Sequence, residues 1–194
     1  MISKIKILIA EHDQHDLEMI AHELKNAGID FVSEIVENET SFRQALNDFV
    51  PDVILCDYTF PSFDGPTAFL IREQVAPETP FILVSGTIGE ENSIELIKNG
   101  VTDFVLKDRI FTLHTKLLRA LNDADIRKQK NTIDQALAKS ETHLAEAQKM
   151  AKMGSWEFDI ESGIATCSKE LFNVFGVKAR RCVRPPTTRA AATK

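Results

Sequence analysis

The apolar run Val53-Ile54-Leu55-Cys56, which ends at Asp57, constrains the fold of this 194-residue chain more than any other feature. Four consecutive apolar residues indicate a strand that is buried on both faces, and such strands occur in parallel sheets covered by helices. A carboxylate at the end of such a strand lies at the edge of the sheet where open α/β folds place ligands and chemistry. The sequence therefore predicts an α/β fold with a functional site around Asp57.

Polar residues also follow three other apolar runs of this kind. They are Glu11, His12 and Asp13 after 5–10, Ser85 after 81–84, and Lys107 after 104–106. Because the carboxyl ends of parallel strands meet at one edge of a sheet, we expect acidic groups, a hydroxyl and an ammonium to converge there.

Amphipathic helical patterns separate the apolar runs up to about residue 121. Five strand–helix units predict right-handed crossovers and a parallel sheet of five strands, with the flavodoxin-like strand order 2-1-3-4-5. We expect one domain over residues 1–122. Apolar residues at three- and four-residue spacing define its helices, among them Leu17, Ile20, Phe42, Leu46, Ile94, Leu96, Ile97, Leu117 and Leu121.

The stretches ILIAEHD, ILCDYTFPSFDG, ILVSGT and DFVLKD resemble the receiver domain of two-component response regulators, in family order and at family spacing. The resemblance extends to receivers that are fused to sensory modules in hybrid signalling proteins. It implies a signalling domain that is no enzyme beyond catalysing its own phosphorylation and dephosphorylation. The partners that it implies are a histidine kinase or a phosphotransfer protein.

The resemblance implies roles for individual residues as well. Asp57 would accept the phosphoryl group, Lys107 would pair with one phosphoryl oxygen, and Ser85 would donate to another. The missing side chain at Gly86 would leave room for the phosphoryl group. Phe104 would act with Ser85 as an aromatic switch that reshapes the face formed by the helices after the fourth and fifth strands. The alternative is that Phe104 is an ordinary core side chain.

The resemblance also implies a Mg²⁺ or Mn²⁺ site made by Glu11, Asp57 and the backbone carbonyl of Thr59. His12 departs from the family, which usually has a second acid here as a direct ligand, and Mg²⁺ prefers oxygen to imidazole. Three interpretations stay open. Asp13, or His12 itself, completes the site; the cation binds weakly through Glu11, Asp57 and water; or the domain is an interaction module with little or no phosphorylation.

Two local patterns suggest other classes of protein. His22-Glu23-Leu24 is similar to the phospho-accepting box of histidine kinases, but the proline that follows in that box is missing, so we expect a surface histidine. Asp57-x-Thr59 is similar to the nucleophile loop of haloacid-dehalogenase-type phosphatases. Those enzymes need a second acid where this chain has Thr59.

Residues 123–153 contain neither proline nor glycine, and an apolar pattern of alternating three- and four-residue spacing runs through them, interrupted by Lys130 and Ser140. We expect a signalling helix over 123–152 that forms a coiled coil with a second copy, with a solvated single helix as the alternative. The residues expected to make that homodimer are Leu117, Leu121, Ile133, Leu137 and Leu144.

Residues 153–177 resemble the start of a PAS sensory domain, with a strand that begins at the motif Gly154-Ser155-Trp156-Glu157 and a helix over 168–175. A fragment of this size cannot bury enough surface to fold alone. Residues 178–194 are rich in basic residues and lack periodicity, so we expect a disordered or non-native tail.

Composition narrows the possible partners and location. The formal net charge of −6 argues against nucleic acid as a partner. No apolar stretch approaches the roughly 18 residues of a membrane span. The three cysteines are odd in number and lack metal-ligand spacing, which fits a reduced, cytoplasmic setting.

Overall fold

The computed structural model of this chain describes residues 4–58, 63–86 and 100–176. The chain divides into two compact units, residues 1–130 and 131–194. The helix that was predicted around Ile94, Leu96 and Ile97 lies outside the described residues, and so do Thr59 and the predicted tail at 178–194.

Strands and helices alternate along the first unit as far as β4, as the apolar runs predict, and β5 is the next described element. In chain order they are β1 (Ile5–Ala10), α1 (Gln14–Asn26), β2 (Phe31–Val36), α2 (Glu39–Asp48), β3 (Val53–Asp57), α3 (Gly65–Val75), β4 (Phe81–Ser85) and β5 (Asp103–Leu106). A 3₁₀ helix over Lys107–Thr112 leads from β5 into a long helix, α4 (Leu113–Ala151).

The strands form one parallel sheet in the order β2-β1-β3-β4-β5. This order confirms the predicted flavodoxin-like fold. Asp57 pairs with Val84 in the register of β3 and β4. The carboxyl end of the central strand therefore lies beside Ser85, the last residue of β4.

Two apolar clusters cover the two faces of the sheet. Side chains alternate along β3, so that Ile54 and Cys56 pack in one cluster while Val53 and Leu55 pack in the other. All four are fully buried, which explains why this strand is a continuous apolar run. Full burial of a side chain such as Leu55 contributes about 1.5–3 kcal/mol to stability.

Helix α1 begins beside the carboxyl edge of the sheet because a side chain caps it there. Asp13 Oδ1 accepts hydrogen bonds from the backbone N–H groups of His15 at 2.8 Å and Asp16 at 3.2 Å. These two donors have no partner within the helix, and an N-cap of this kind contributes about 0.5–2 kcal/mol. The hydrogen bond from Asp16, followed by that from His15, lowers the pKa of the Asp13 carboxyl.

Helix α4 runs without interruption for 39 residues. The predicted last receiver helix and the predicted signalling helix are therefore one helix. One prediction is wrong at this point: Leu117, expected in the coiled coil, is fully buried against the sheet in the cluster of Val53 and Leu55. None of the helices in the described ranges is long and apolar enough to cross a membrane.

In the second unit, a hairpin and a short helix follow α4. Strands β6 (Trp156–Asp159) and β7 (Ile164–Cys167) pair in antiparallel fashion, and α5 spans Lys169–Phe175. The Ser168 side chain caps α5 by accepting a hydrogen bond from the backbone N–H of Leu171. Gly176 ends the helix with a φ of 64°, a left-handed conformation that glycine adopts readily.

Candidate functional site

Asp57 ends β3 as a desolvated carboxylate. Its side chain is 6% exposed, and Oδ1 accepts a hydrogen bond of 2.8 Å from the backbone N–H of Tyr58. Oδ2 lies 3.3 Å from Lys107 Nζ. Burial raises the pKa of Asp57, the nearby Glu11 carboxylate raises it further, and Lys107 offsets part of the increase. The Asp57 carboxylate is therefore poorly solvated and, among the described residues, faces the Lys107 ammonium.

Glu11 follows β1 and is held in one orientation by the backbone. Its side chain is 1% exposed. Oε1 accepts hydrogen bonds from the backbone N–H groups of His12 at 2.7 Å and Asp13 at 2.9 Å, and Oε2 lies 3.1 Å from Lys107 Nζ. A buried carboxylate with all these partners has little freedom to turn, so Glu11 presents a fixed negative charge beside Asp57.

Lys107 is the first residue after β5, and its ammonium reaches three acidic side chains. It contacts Glu11 and Asp57 and also donates a hydrogen bond to Asp16 Oδ2. Burial alone would lower the pKa of Lys107, but the hydrogen bonds to Asp16 and Glu11 outweigh that effect and raise it well above its usual range. The ammonium charge is therefore retained at all physiological pH values.

Asp16 was not predicted as a site residue. It lies in the first turn of α1, and its backbone N–H is one of the two that Asp13 caps. The sequence offers one signal for such a role: Asp16 is acidic and follows the polar residues after β1 by about one helical turn. That signal is weak, because acidic residues are common in the first turn of any helix.

Three predicted residues form a possible cation site. Glu11, His12 and Asp57 each offer one ligand atom, and these atoms lie within 4.8 Å of one another. Two carboxylates and an imidazole fit a divalent cation, with the imidazole favouring Mn²⁺ and later metals over Mg²⁺. Of the two candidates for an added ligand, the structure brings His12 to the group and leaves Asp13 at the helix cap.

Two residues predicted to contact the phosphoryl group, Ser85 and Gly86, lie at the end of the neighbouring strand β4. Ser85 ends β4 and is 3% exposed, and Gly86 follows it on the surface. A Cβ atom built on Gly86 meets no atom of the described residues within 4 Å.

Phe104 packs, half-buried, against the cluster that contains Phe81. Lys116 Nζ lies 4.8 Å from the centroid of its ring, and the same ammonium donates to the Phe104 carbonyl. A core side chain and an aromatic switch would both show this packing and this cation–π contact. The switch role of Phe104 therefore stays a prediction.

Known proteins resemble this chain in both sequence and fold. The family model for the response regulator receiver domain matches residues 7–118. Transcription factor SKN7 of Saccharomyces cerevisiae is 29% identical over 120 residues, covering 60% of this chain and 19% of that protein. Chemotaxis protein CheY of Bacillus subtilis is 28% identical over 117 residues, covering 58% of this chain and 97% of that protein.

A solved structure agrees with these sequence matches. The receiver domain of the Francisella response regulator 1452 superposes with a TM-score of 0.55 at 26% identity, covering 62% of this chain and 98% of that one. The chain spans less than a third of the length of several curated relatives, among them SKN7 and the regulatory protein AtoC of Escherichia coli, at 19% and 29%. The residues that the family model matches, 7–118, lie within the first unit of the chain.

Proposed function

This chain belongs to the response regulator receiver domain family, and from that membership we propose that it accepts a phosphoryl group on Asp57 from a histidine kinase or phosphotransfer protein. It relays the phosphorylated state through α4 to an output or sensor module. One observation carries the proposal: the desolvated Asp57 carboxylate lies at the carboxyl edge of the sheet, 3.3 Å from the Lys107 ammonium.

The chemistry is a transfer between a donor and one carboxylate oxygen of Asp57. That oxygen forms a bond to phosphorus while the bond from phosphorus to the donor breaks, and the leaving group takes the electron pair of that bond. A phosphohistidine donor also takes a proton from water, whereas acetyl phosphate leaves as acetate. Catalysis of such a transfer is mainly positioning and charge stabilisation. Lys107 pairs with the charge that develops on the phosphoryl oxygens, and the Ser85 hydroxyl donates a hydrogen bond. A divalent cation held by Glu11, Asp57 and His12 would neutralise further charge.

The test is labelling of the full chain by acetyl phosphate, with Mg²⁺ and separately with Mn²⁺, read by intact mass. We expect the wild type to gain the mass of one phosphoryl group. Asp57→Asn is the matched control, because the amide has nearly the same shape and cannot act as the nucleophile. If Asp57→Asn gains the same mass, Asp57 is not the acceptor and the proposal fails.

A second candidate function is that of a protein-interaction module with weak or no phosphorylation. His12 favours it, because an imidazole stands where the family usually has an oxygen ligand for Mg²⁺. This candidate predicts a folded wild type that gains no phosphoryl mass with either cation. A haloacid-dehalogenase-type phosphatase is a remote third candidate, and turnover of a generic phosphoester would support it.

We also propose a division of the chain into a receiver over 1–122, a signalling helix over 123–152 and an incomplete PAS fragment over 153–177. The strand–turn–strand–helix order of β6, β7 and α5 supports the PAS assignment, and the uninterrupted α4 supports the signalling helix. A second copy of the chain is the proposed partner of the exposed apolar residues on α4. No nucleic-acid partner is proposed, and a cytoplasmic location stays a prediction.

A further inference from the structure

The Lys107 ammonium has one carboxylate partner more than the proposed phosphoryl transfer uses. An ammonium group has three N–H donors, and Glu11, Asp16 and Asp57 supply three carboxylates for them. Glu11 and Asp57 belong to the cation group, while Asp16 does not. In the part of the chain that the structure describes, Asp16 therefore reaches the site through Lys107.

Asp16 is well placed to restrain a long side chain. Its carboxylate is 17% exposed and the Lys107 side chain is 18% exposed, so both are largely shielded from water. The backbone of Asp16 is fixed by the cap on α1, because its N–H donates to Asp13 Oδ1. A lysine side chain has four rotatable bonds and loses much conformational freedom when it is held in one geometry. The Asp16 carboxylate, fixed on a rigid helix, holds the Lys107 ammonium in place before the phosphoryl group arrives. Less conformational entropy of the Lys107 side chain is then lost in each phosphoryl transfer.

Asp16 also changes the charge balance of the site. With Glu11 and Asp57 alone, the Lys107 ammonium would leave one unbalanced negative charge. With Asp16 included, two negative charges remain unbalanced, which matches a divalent cation. His12 supplies no negative charge at its position, so Asp16 restores the charge that a second acid after β1 would have given.

We propose that Asp16 is a positioning residue that holds the Lys107 ammonium beside Asp57 and supplies the third carboxylate charge of the site. The inference rests on the proposed function. It assigns Asp16 no contact with the phosphoryl group and no role as a metal ligand.

The first measurement does not depend on phosphoryl transfer. In the full chain labelled with ¹⁵N on lysine side chains, a held ammonium exchanges its protons slowly and gives a distinct resonance, whereas a free one is lost by exchange with water. We expect such a resonance for Lys107, assigned through its absence in Lys107→Met. It should disappear in Asp16→Asn and return in Asp16→Glu.

Glu18→Gln is the matched control. Glu18 lies exposed on the same helix, loses the same charge on substitution, and accepts a hydrogen bond only from Gln14 among the contacts of its described surroundings. The Lys107 resonance should persist in this variant. If Asp16→Asn and Glu18→Gln keep the same Lys107 resonance, Asp16 does not position Lys107 and the inference is overturned.

The second measurement is the rate of phosphoryl uptake from acetyl phosphate at saturating divalent cation. We expect Asp16→Asn to lower the maximal rate about 10-fold, the size of effect seen when outer-shell partners of a site are lost, with little change in the acetyl phosphate concentration that gives half the rate. An unchanged maximal rate together with a lost resonance would also overturn the inference. A wild type without any uptake would instead refute the proposed function, and the resonance alone would then decide whether Asp16 holds Lys107.

Discussion

At the scale of single residues, Asp57 is subject to opposing electrostatic effects. Burial and the Glu11 carboxylate raise its pKa above the ordinary 3.8, while the ion pair with Lys107 lowers it, and the increase prevails. The folded protein without a cation therefore binds the Asp57 proton more tightly than the unfolded chain does. A charged Asp57 costs stability until a cation or a phosphoryl group changes its surroundings.

This balance predicts that Asp57→Asn stabilises the cation-free protein at neutral pH. Between the unfolded-state pKa of 3.8 and the raised pKa of the folded state, the folded protein binds more protons than the unfolded chain. The free energy of unfolding of the wild type therefore falls as pH rises through this window and stays lower above it. The Asp57→Asn variant has no carboxyl group at this position, so its free energy of unfolding does not fall in this way. Urea denaturation with a chelator, from about pH 4 to about pH 8, measures the difference.

The matched control is Asp48→Asn, which removes an exposed carboxylate from α2. It should leave the pH dependence of the free energy of unfolding close to that of the wild type. An Asp57→Asn variant that is less stable than the wild type at every pH would mean that the pair with Lys107 outweighs burial.

His12 leads to a second prediction at this scale. His12→Asp should raise the Mg²⁺ affinity by about 10- to 100-fold, because it adds a hard oxygen ligand and a negative charge next to Glu11 and Asp57. Phosphoryl uptake should rise with it at low Mg²⁺ concentration. Calorimetric titration with Mg²⁺ measures the affinity directly.

His15→Asp is the control for the added charge. His15 lies in the first turn of α1 and is not part of the cation group. Equal Mg²⁺ affinities for the wild type and His12→Asp would show that another group already provides the missing oxygen ligand.

At the scale of elements, the first turn of α3 packs directly behind the acceptor. The Gly65 N–H donates a hydrogen bond of 3.0 Å to the Tyr58 carbonyl. A Cβ atom on Gly65 would lie 2.7 Å from Leu83 Cδ2 and 3.2 Å from the Asp57 carbonyl oxygen. A side chain at position 65 would force Leu83 and the neighbouring backbone to shift, so glycine suits this close approach of α3 to β3 and β4.

Gly65→Ala should therefore lower the free energy of unfolding by about 1–3 kcal/mol, the usual cost of overpacking. Gly86→Ala is the same substitution at the carboxyl edge of the sheet and should change it by less than about 0.5 kcal/mol. Chemical denaturation of Gly65→Ala and Gly86→Ala measures the two changes in the free energy of unfolding. Similar losses at the two glycines would contradict the packing described for α3.

The strands were predictable because their signal is strong. A run such as Val53–Cys56 is apolar on both faces, and few structures other than a covered parallel sheet accept it. Glu11, Asp57 and Lys107 were predictable as neighbours for a related reason, since strand ends meet at one edge of the sheet.

Other parts of the site could not be read from the sequence. Asp16 and Lys107 are 91 residues apart, and nothing local indicates that they meet. Asp13 was an open candidate for an added cation ligand, and nothing in the sequence showed that its side chain caps α1. Leu117 looked like a coiled-coil residue because apolar spacing on a helix does not show which face meets the sheet.

At the scale of the whole molecule, α4 leaves a row of apolar side chains in solvent. Ile126, Ile133, Leu137 and Leu144 are each more than half exposed, at 56%, 65%, 57% and 60%. Their spacing of seven, four and seven residues follows a heptad pattern, and two helices that pair along such a row remove it from water.

We expect the full chain to dimerise and the double substitution of Ile133 and Leu137 by glutamine to weaken association markedly. Sedimentation equilibrium over a range of concentrations measures this. Leu70→Gln is the control, because Leu70 is 61% exposed on α3 and lies on a different helix. A wild-type chain that sediments as a monomer at high concentration would refute the prediction.

The hydrogen bonds around the acceptor have a practical consequence for spectroscopy. The backbone amide protons of His12 and Asp13 point at Glu11, and that of Tyr58 points at Asp57. Any change of charge on either carboxylate alters the shielding of these three protons. Three peaks in an ordinary amide spectrum thus act as native reporters of cation binding and phosphorylation, without a dye, a tag or an added tryptophan.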